Sequence, residues 1–193
     1  ETTLMAGTGF ASVSALLAAY NTASATVSAV SATLTTAADT VNGTAANDTI
    51  TGSSTTYTTG DIIVDASSTD SDVMTITATD DISAVPTVAG IEAMNFNLDA
   101  ITSAGTATSF EVDTNGITSG VITLDVTKAS STVTGVTATN VADGVTIASD
   151  LTLTSVAAEA DANITINATG TGAQTISAIS GTLDDVTIVG SGT

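Results

Sequence analysis

The sequence predicts an all-β fold, a β-solenoid or a β-sandwich preceded by a short N-terminal helix. Three observations predict it. Branched apolar residues and threonine dominate the chain, they alternate with period two in short runs, and no helical stretch separates those runs. β-Branched side chains suit a pleated, half-buried surface and lose rotamer freedom in helices, so this composition favours strands.

The helix comes first. Phe10, Val13, Leu17 and Tyr20 recur at helical spacing with Leu16 beside them, which predicts an amphipathic helix over about residues 9 to 21. Its polar face lacks Lys and Arg, so it is expected to pack on a sheet and not on a membrane surface. Residues 1–36 are read as this helix and a linking segment, and 37–193 as one β-rich module. From Leu34 onward the period changes to two. The clearest runs are 73–77, 121–126, 145–147, 151–153, 164–166 and 186–189, each bounded by Gly, Asn, Asp or Ser. Pro86 falls in a connection ahead of a further strand carrying Ile91, Met94, Phe96 and Leu98. A chain starting at Glu1 and ending Gly190-Ser191-Gly192-Thr193 after a strand is expected to be an excised module that continues in the native protein.

Charge narrows function. Twenty acidic residues face the single base Lys128, with no His, for a net charge of −19. One lysine cannot form the basic stripe that neutralises phosphates, so nucleic acid and anionic membrane surfaces are excluded as partners, and cations are favoured. Because 42% of residues are hydrophobic, with mean hydropathy +0.43, apolar burial can offset chain entropy and the chain is expected to fold. Zero cysteines remove disulfides, zinc–thiolate sites and thiol nucleophiles. No run of apolar residues is long enough to span a bilayer.

A repeat is visible by eye. Asp39-Thr40-Val41-Asn42-Gly43 recurs nine residues later as Asp48-Thr49-Ile50-Thr51-Gly52. Nine is the period of the calcium-binding β-roll, although Thr44 and Ala46 stand where that pattern has glycine. Further on come Gly60-Asp61-Ile62-Ile63-Val64-Asp65, Asp70-Ser71-Asp72-Val73-Met74-Thr75-Ile76 and Val88-Ala89-Gly90-Ile91-Glu92-Ala93-Met94-Asn95. This order, over about residues 34 to 98, resembles bacterial type I secreted, calcium-dependent surface-layer proteins with degenerate RTX-like repeats. The resemblance implies a secreted, β-roll-like structural protein that assembles with copies of itself on the cell surface. It implies Ca²⁺ bridging carboxylates, with Asp48, Asp61, Asp65, Asp70 and Asp72 as ligands, and cell-surface polysaccharide as a further candidate partner.

The residues support that chemistry on their own terms. Calcium takes roughly six to eight oxygen ligands. Asp61, Asp65, Asp70 and Asp72, with Asp80 and Asp81 a strand later, converge if the intervening strands pair. The competing explanation is that alternating Asp residues solvate an exposed face. Enzyme activity is not expected: a glycosidase reading lacks aromatic platforms, and without His no ordinary general base near neutral pH is present. The Thr-x-Thr pairs at 75–77, 77–79, 137–139 and 152–154 lie at irregular separations, which reads as the solvent side of strands and not as a ranked ice-binding face. Four Asn-x-Ser/Thr triplets, at Asn42, Asn47, Asn163 and Asn167, are expected by chance in so threonine-rich a chain. The competing function is an extracellular filament or adhesin subunit, with the stretch 22–36 completing a neighbour's sheet.

Overall fold

The computed structural model describes residues 27–67, 69–99, 109–126, 133, 135–168 and 176–190. The expected helix at 9–21 lies outside these. Among the described residues fifteen strands follow one another: β1 (Ser31–Thr33), β2 (Thr40–Asn42), β3 (Thr49–Ser53), β4 (Ile62–Val64), β5 (Val73–Ala78), β6 (Thr87–Ala89), β7 (Ala93–Leu98), β8 (Ser109–Asp113), β9 (Val121–Asp125), β10 (Gly135–Val141), β11 (Thr146–Ser149), β12 (Thr152–Ala158), β13 (Ala162–Ala168), β14 (Ile179–Ser180) and β15 (Leu183–Gly190).

They wind into a parallel β-solenoid. The odd-numbered strands build an eight-stranded sheet in the order β1-β3-β5-β7-β9-β11-β13-β15, and the even-numbered strands lie outside it. Those even strands form the opposing wall in two parts, β2-β4-β6 and β14-β12-β10-β8. Every ladder is parallel. Of the two architectures expected, the solenoid is the one formed. Isolated bridges join Ile82 to Val112 and Val88 to Ile117, so the coils through β5 and β7 touch both parts of the opposing wall and are three-sided. The nine-residue repeat is half a coil: β1, β2 and β3 alternate between walls, and Thr33 meets Thr51 eighteen residues on.

The period-two pattern becomes columns when coils stack. Inward from the large sheet, Ile50, Met74, Met94, Ile122, Ile147 and Ile166 stand level on consecutive strands, all without solvent contact. Ile63, Val88 and Ile117 face them early, and Val112, Ala138 and Val156 later. Each Val, Ile or Met among them contributes about 1.5–3 kcal/mol by leaving water. Among the described residues the aromatic contribution is one edge-on contact, Tyr57 against Phe96 at 5.8 Å between ring centres and 81° between planes. Burial raises the Tyr57 phenol well above its ordinary pKa, so the buried hydroxyl stays neutral.

Outward, the register does something the sequence spacing conceals. Thr33, Thr51, Thr75, Asn95 and Thr123 form one unbroken column. Thr146, Thr165 and Thr187 align in the neighbouring column, which starts at Ser31 and Thr49. Coil length varies by insertions at the corners, so threonines irregularly spaced along the chain still arrive at the same height.

Candidate metal centre at a coil corner

The residue just before a strand of the large sheet has a backbone N–H at the start of the ladder, and in three consecutive coils the next coil supplies a carboxylate to receive it. Val30 N–H donates to Asp48 Oδ1 at 2.6 Å, Asp48 N–H to Asp72 Oδ1 at 2.7 Å, and Asp72 N–H to Glu92 Oε2 at 2.8 Å. Asp48, Asp72 and Glu92 immediately precede β3, β5 and β7, so strand register stacks them. Asp48 is further held by Thr44, whose N–H donates to Oδ2 at 2.6 Å and whose hydroxyl donates to Oδ1 at 3.1 Å.

Two more carboxylates close on this stack. Asp65 follows β4 and lies over Gly43, where a Cβ would come within 2.8 Å of the Asp65 Cβ and 2.7 Å of Asp48 Oδ2. Gly90, at φ +75°, clears the Asp65 carbonyl from the next coil, since a Cβ there would stand 2.1 Å from that oxygen. Asp70 completes the loop leading to β5. Carboxylate oxygens of Asp48, Asp65 and Asp72 lie within 4.8 Å of one another, as do those of Asp70, Asp72 and Glu92. The two groups share Asp72.

What marks this corner is unmet hydrogen-bonding capacity. Asp65 Oδ2, Asp72 Oδ2 and both oxygens of Asp70 are buried with no donor. Orphaned buried polar atoms are uncommon because each forfeits its hydration, and four acceptors in one place repel one another as well. Burial pushes the Asp72 carboxyl up to about 6, and Asp65 and Asp70 push the same way against the lowering effect of the Asp48 N–H. The donor set is all oxygen and anionic, which suits a hard cation such as Ca²⁺ and not a thiolate- or imidazole-seeking metal.

Of the five residues expected from the sequence, Asp48, Asp65, Asp70 and Asp72 meet here, and Asp61 does not. Asp61 precedes β4 on the opposing wall, where it serves a second corner built the same way: its Oδ1 accepts Asp39 N–H at 3.0 Å and the Thr58 hydroxyl at 2.9 Å, and its Oδ2 accepts Thr58 N–H at 2.7 Å. That corner is saturated by protein donors. Asp80 and Asp81 lie beyond the far end of β5, roughly 20 Å along a strand of this length from Asp72, and Asp81 accepts Glu111 N–H at 2.8 Å. Glu92, in the Gly90-Ile91-Glu92 motif and outside the five expected ligands, joins Asp70 and Asp72 as a further ligand candidate. Its signal is positional, since Asp48, Asp72 and Glu92 all stand one residue ahead of a strand.

Other acidic groups are engaged differently. Asp81, Ile82, Ser83, Glu111 and Asp113 line an open pocket, where Asp113 Oδ1 accepts Asn115 N–H at 3.0 Å and the Asn140 amide at 2.9 Å. Asp125 accepts Asp150 N–H at 3.0 Å, and burial raises its pKa. Asp143 accepts both the backbone and side-chain amides of Asn163, at 2.8 and 3.0 Å, and these lower its pKa.

Fold and site together define a parallel β-solenoid with a cluster of partly donorless carboxylates at one corner of its early coils. No family model, curated protein or solved structure matches the chain.

Proposed function

We propose that this chain is a structural module of an extracellular, self-assembling surface layer, and that Ca²⁺ bound at the corner of Asp48, Asp65, Asp70, Asp72 and Glu92 holds its early coils together. The observation that carries the reading is the set of four buried, donorless oxygens on Asp65, Asp70 and Asp72. Divalent cations at the two carboxylate groups that share Asp72 satisfy oxygens on all three residues and offset their repulsion, whereas one basic residue in the whole chain cannot do so across twenty acids. Cations also act between molecules. Subunits each carrying a net charge of −19 repel until counterions screen or bridge them, so assembly becomes conditional on calcium.

The filament alternative requires a strand free to join a neighbour. Ser31–Thr33, inside the proposed donor stretch, already pairs with β3 of its own chain, which favours the surface-layer reading. The test is calorimetric and microscopic together. Titrating Ca²⁺ into chelator-treated protein is expected to give saturable binding and a raised unfolding temperature, with ordered two-dimensional arrays in calcium that disperse in EGTA. Absence of saturable binding refutes the calcium part, and one-dimensional fibres in place of arrays favour the filament.

A further inference from the structure

We propose that the outward face of the eight-stranded sheet is the surface through which two copies of this chain meet, sheet face against sheet face. The inference rests on the self-assembly reading above and names the contact it leaves open.

The two central outward columns, from Ser31 to Thr187 and from Thr33 to Val189, contain no charged residue on any of the eight strands. On a chain with twenty acids these columns stay free of charge across eight strands. The acids stand at its margins instead: Asp125 and its partner Asp150 where the strands end, Asp143 with Asn163 where they begin, and Asp185 level with Asn163 on the last strand, β15. An uncharged centre inside a charged rim is the arrangement of protein interfaces, whose cores are depleted of charge. Among the described residues it is the uncharged face that spans the most strands, so two like-charged copies can approach there without placing carboxylate on carboxylate.

The composition suits a second protein sheet. Thr33, Thr51 and Val121 are exposed, and Thr75, Asn95 and Thr123 are half-exposed. They offer methyl groups for packing and hydroxyl or amide groups that donate and accept, so the same face can satisfy its own copy. Val73, Ala93 and Val121 interrupt the hydroxyl column beside them, which gives ridges to interdigitate and spoils an unbroken hydroxyl lattice. Size is adequate. Eight strands about 4.8 Å apart and some five residues long present roughly 34 by 17 Å, about 1,000 Å² or more over both copies, the lower bound for a specific contact. A pair joined by this face alone is therefore weak and gains strength by repetition in an array.

A two-fold contact of this kind places the middle of the sheet, Asn95 on β7 and Thr123 on β9, nearest its own counterpart. The chain has no cysteine, so an introduced one reports without background. The test compares Asn95→Cys with Thr87→Cys, an exposed outward position on β6 of the opposing wall, under mild oxidation in calcium. Asn95→Cys is expected to give several-fold more disulfide-linked dimer. Independently, Thr75→Glu is expected to weaken assembly, and Thr87→Glu to leave it intact, both keeping the wild-type far-UV dichroism and calcium-induced stabilisation. If wild-type protein forms arrays but Asn95→Cys crosslinks no better than Thr87→Cys, the face proposal is overturned and the face belongs to another occupant, such as a polysaccharide. If wild-type protein does not assemble in calcium at all, the surface-layer reading falls and takes this one with it.

Discussion

Replacing Asp72 by Asn should change the sign of its effect with calcium. The substitution keeps an oxygen to accept the Asp48 N–H, removes a charge facing Asp65 and Asp70, and supplies an amide that can donate to their unpartnered oxygens. Without cation, raising the Asp72 pKa from 3.8 to about 6 corresponds to an upper figure of ~3 kcal/mol for keeping it ionised in the folded chain. The side chain has no solvent contact, yet only a thin layer of protein covers it, so solvent screening reduces this to about 1–2 kcal/mol. In EGTA near pH 7.5, Asp72→Asn should therefore be more stable than wild type, by ~3–6 °C in Tm for a chain of this size. With calcium at about a hundred times its Kd, wild type gains ~2.7 kcal/mol and the variant, lacking the ligand shared by both carboxylate groups, loses most of that gain. The order of stability should invert between the two conditions. Thermal unfolding followed by circular dichroism, with and without calcium, reads the inversion. A variant less stable than wild type in both conditions, with an undiminished calcium increment, would refute the reasoning.

The same carboxyl sets a pH dependence. Because its folded pKa lies above the unfolded value, the folded chain keeps a proton that the unfolded chain has released between pH 3.8 and about 6. In EGTA the stabilising contribution is complete below that window and disappears as pH rises through about 6, so the advantage of Asp72→Asn over wild type should vanish by about pH 4 in urea titrations. Asp61→Asn should cost about 1–2 kcal/mol, because its amide oxygen can still accept the Asp39 N–H and the Thr58 hydroxyl but its NH2 then faces the Thr58 N–H that Oδ2 receives, while leaving the calcium increment in Tm unchanged. Gly90→Ala sets a Cβ against the Asp65 carbonyl at a left-handed φ and should destabilise by about 2–3 kcal/mol in denaturant unfolding, with weakened calcium binding by calorimetry as Asp65 shifts.

Strands were the legible part of this sequence. The alternation at 73–77 and 121–126, and the apolar spacing of Met94, Phe96 and Leu98, announce β5, β9 and β7, because burial on one face of a strand writes period two directly into the residues. Solenoid and sandwich write the same period, and only the parallel ladders distinguish them. The repeat at Asp39 and Asp48 carried that information, but later coils lengthen at their corners and erase the period. The same lengthening hid the threonine columns: Thr51 and Thr75 meet only because the extra residues between them are taken up outside the ladder. At the site, runs of Asp drew attention to Asp65, Asp70 and Asp72. Asp61 looked equivalent, and its Thr58 donors, invisible without the turn geometry, set it apart. Glu92 was obscured because it lies twenty residues from the Asp72 N–H it receives.

The stacked carboxylates also have a mechanical meaning. Asp48, Asp72 and Glu92 each reach back to the preceding coil, so their bonds run along the solenoid axis, alongside the ladders that resist pulling the coils apart. Stripped of cation, this seam is loaded from within by the mutual repulsion of Asp65, Asp70 and Asp72, and under tension the early coils should part there first. With the ion in place the same seam becomes a rivet across successive coils. A sheet of such molecules would then stiffen or yield according to the calcium around it, with no change in its covalent structure.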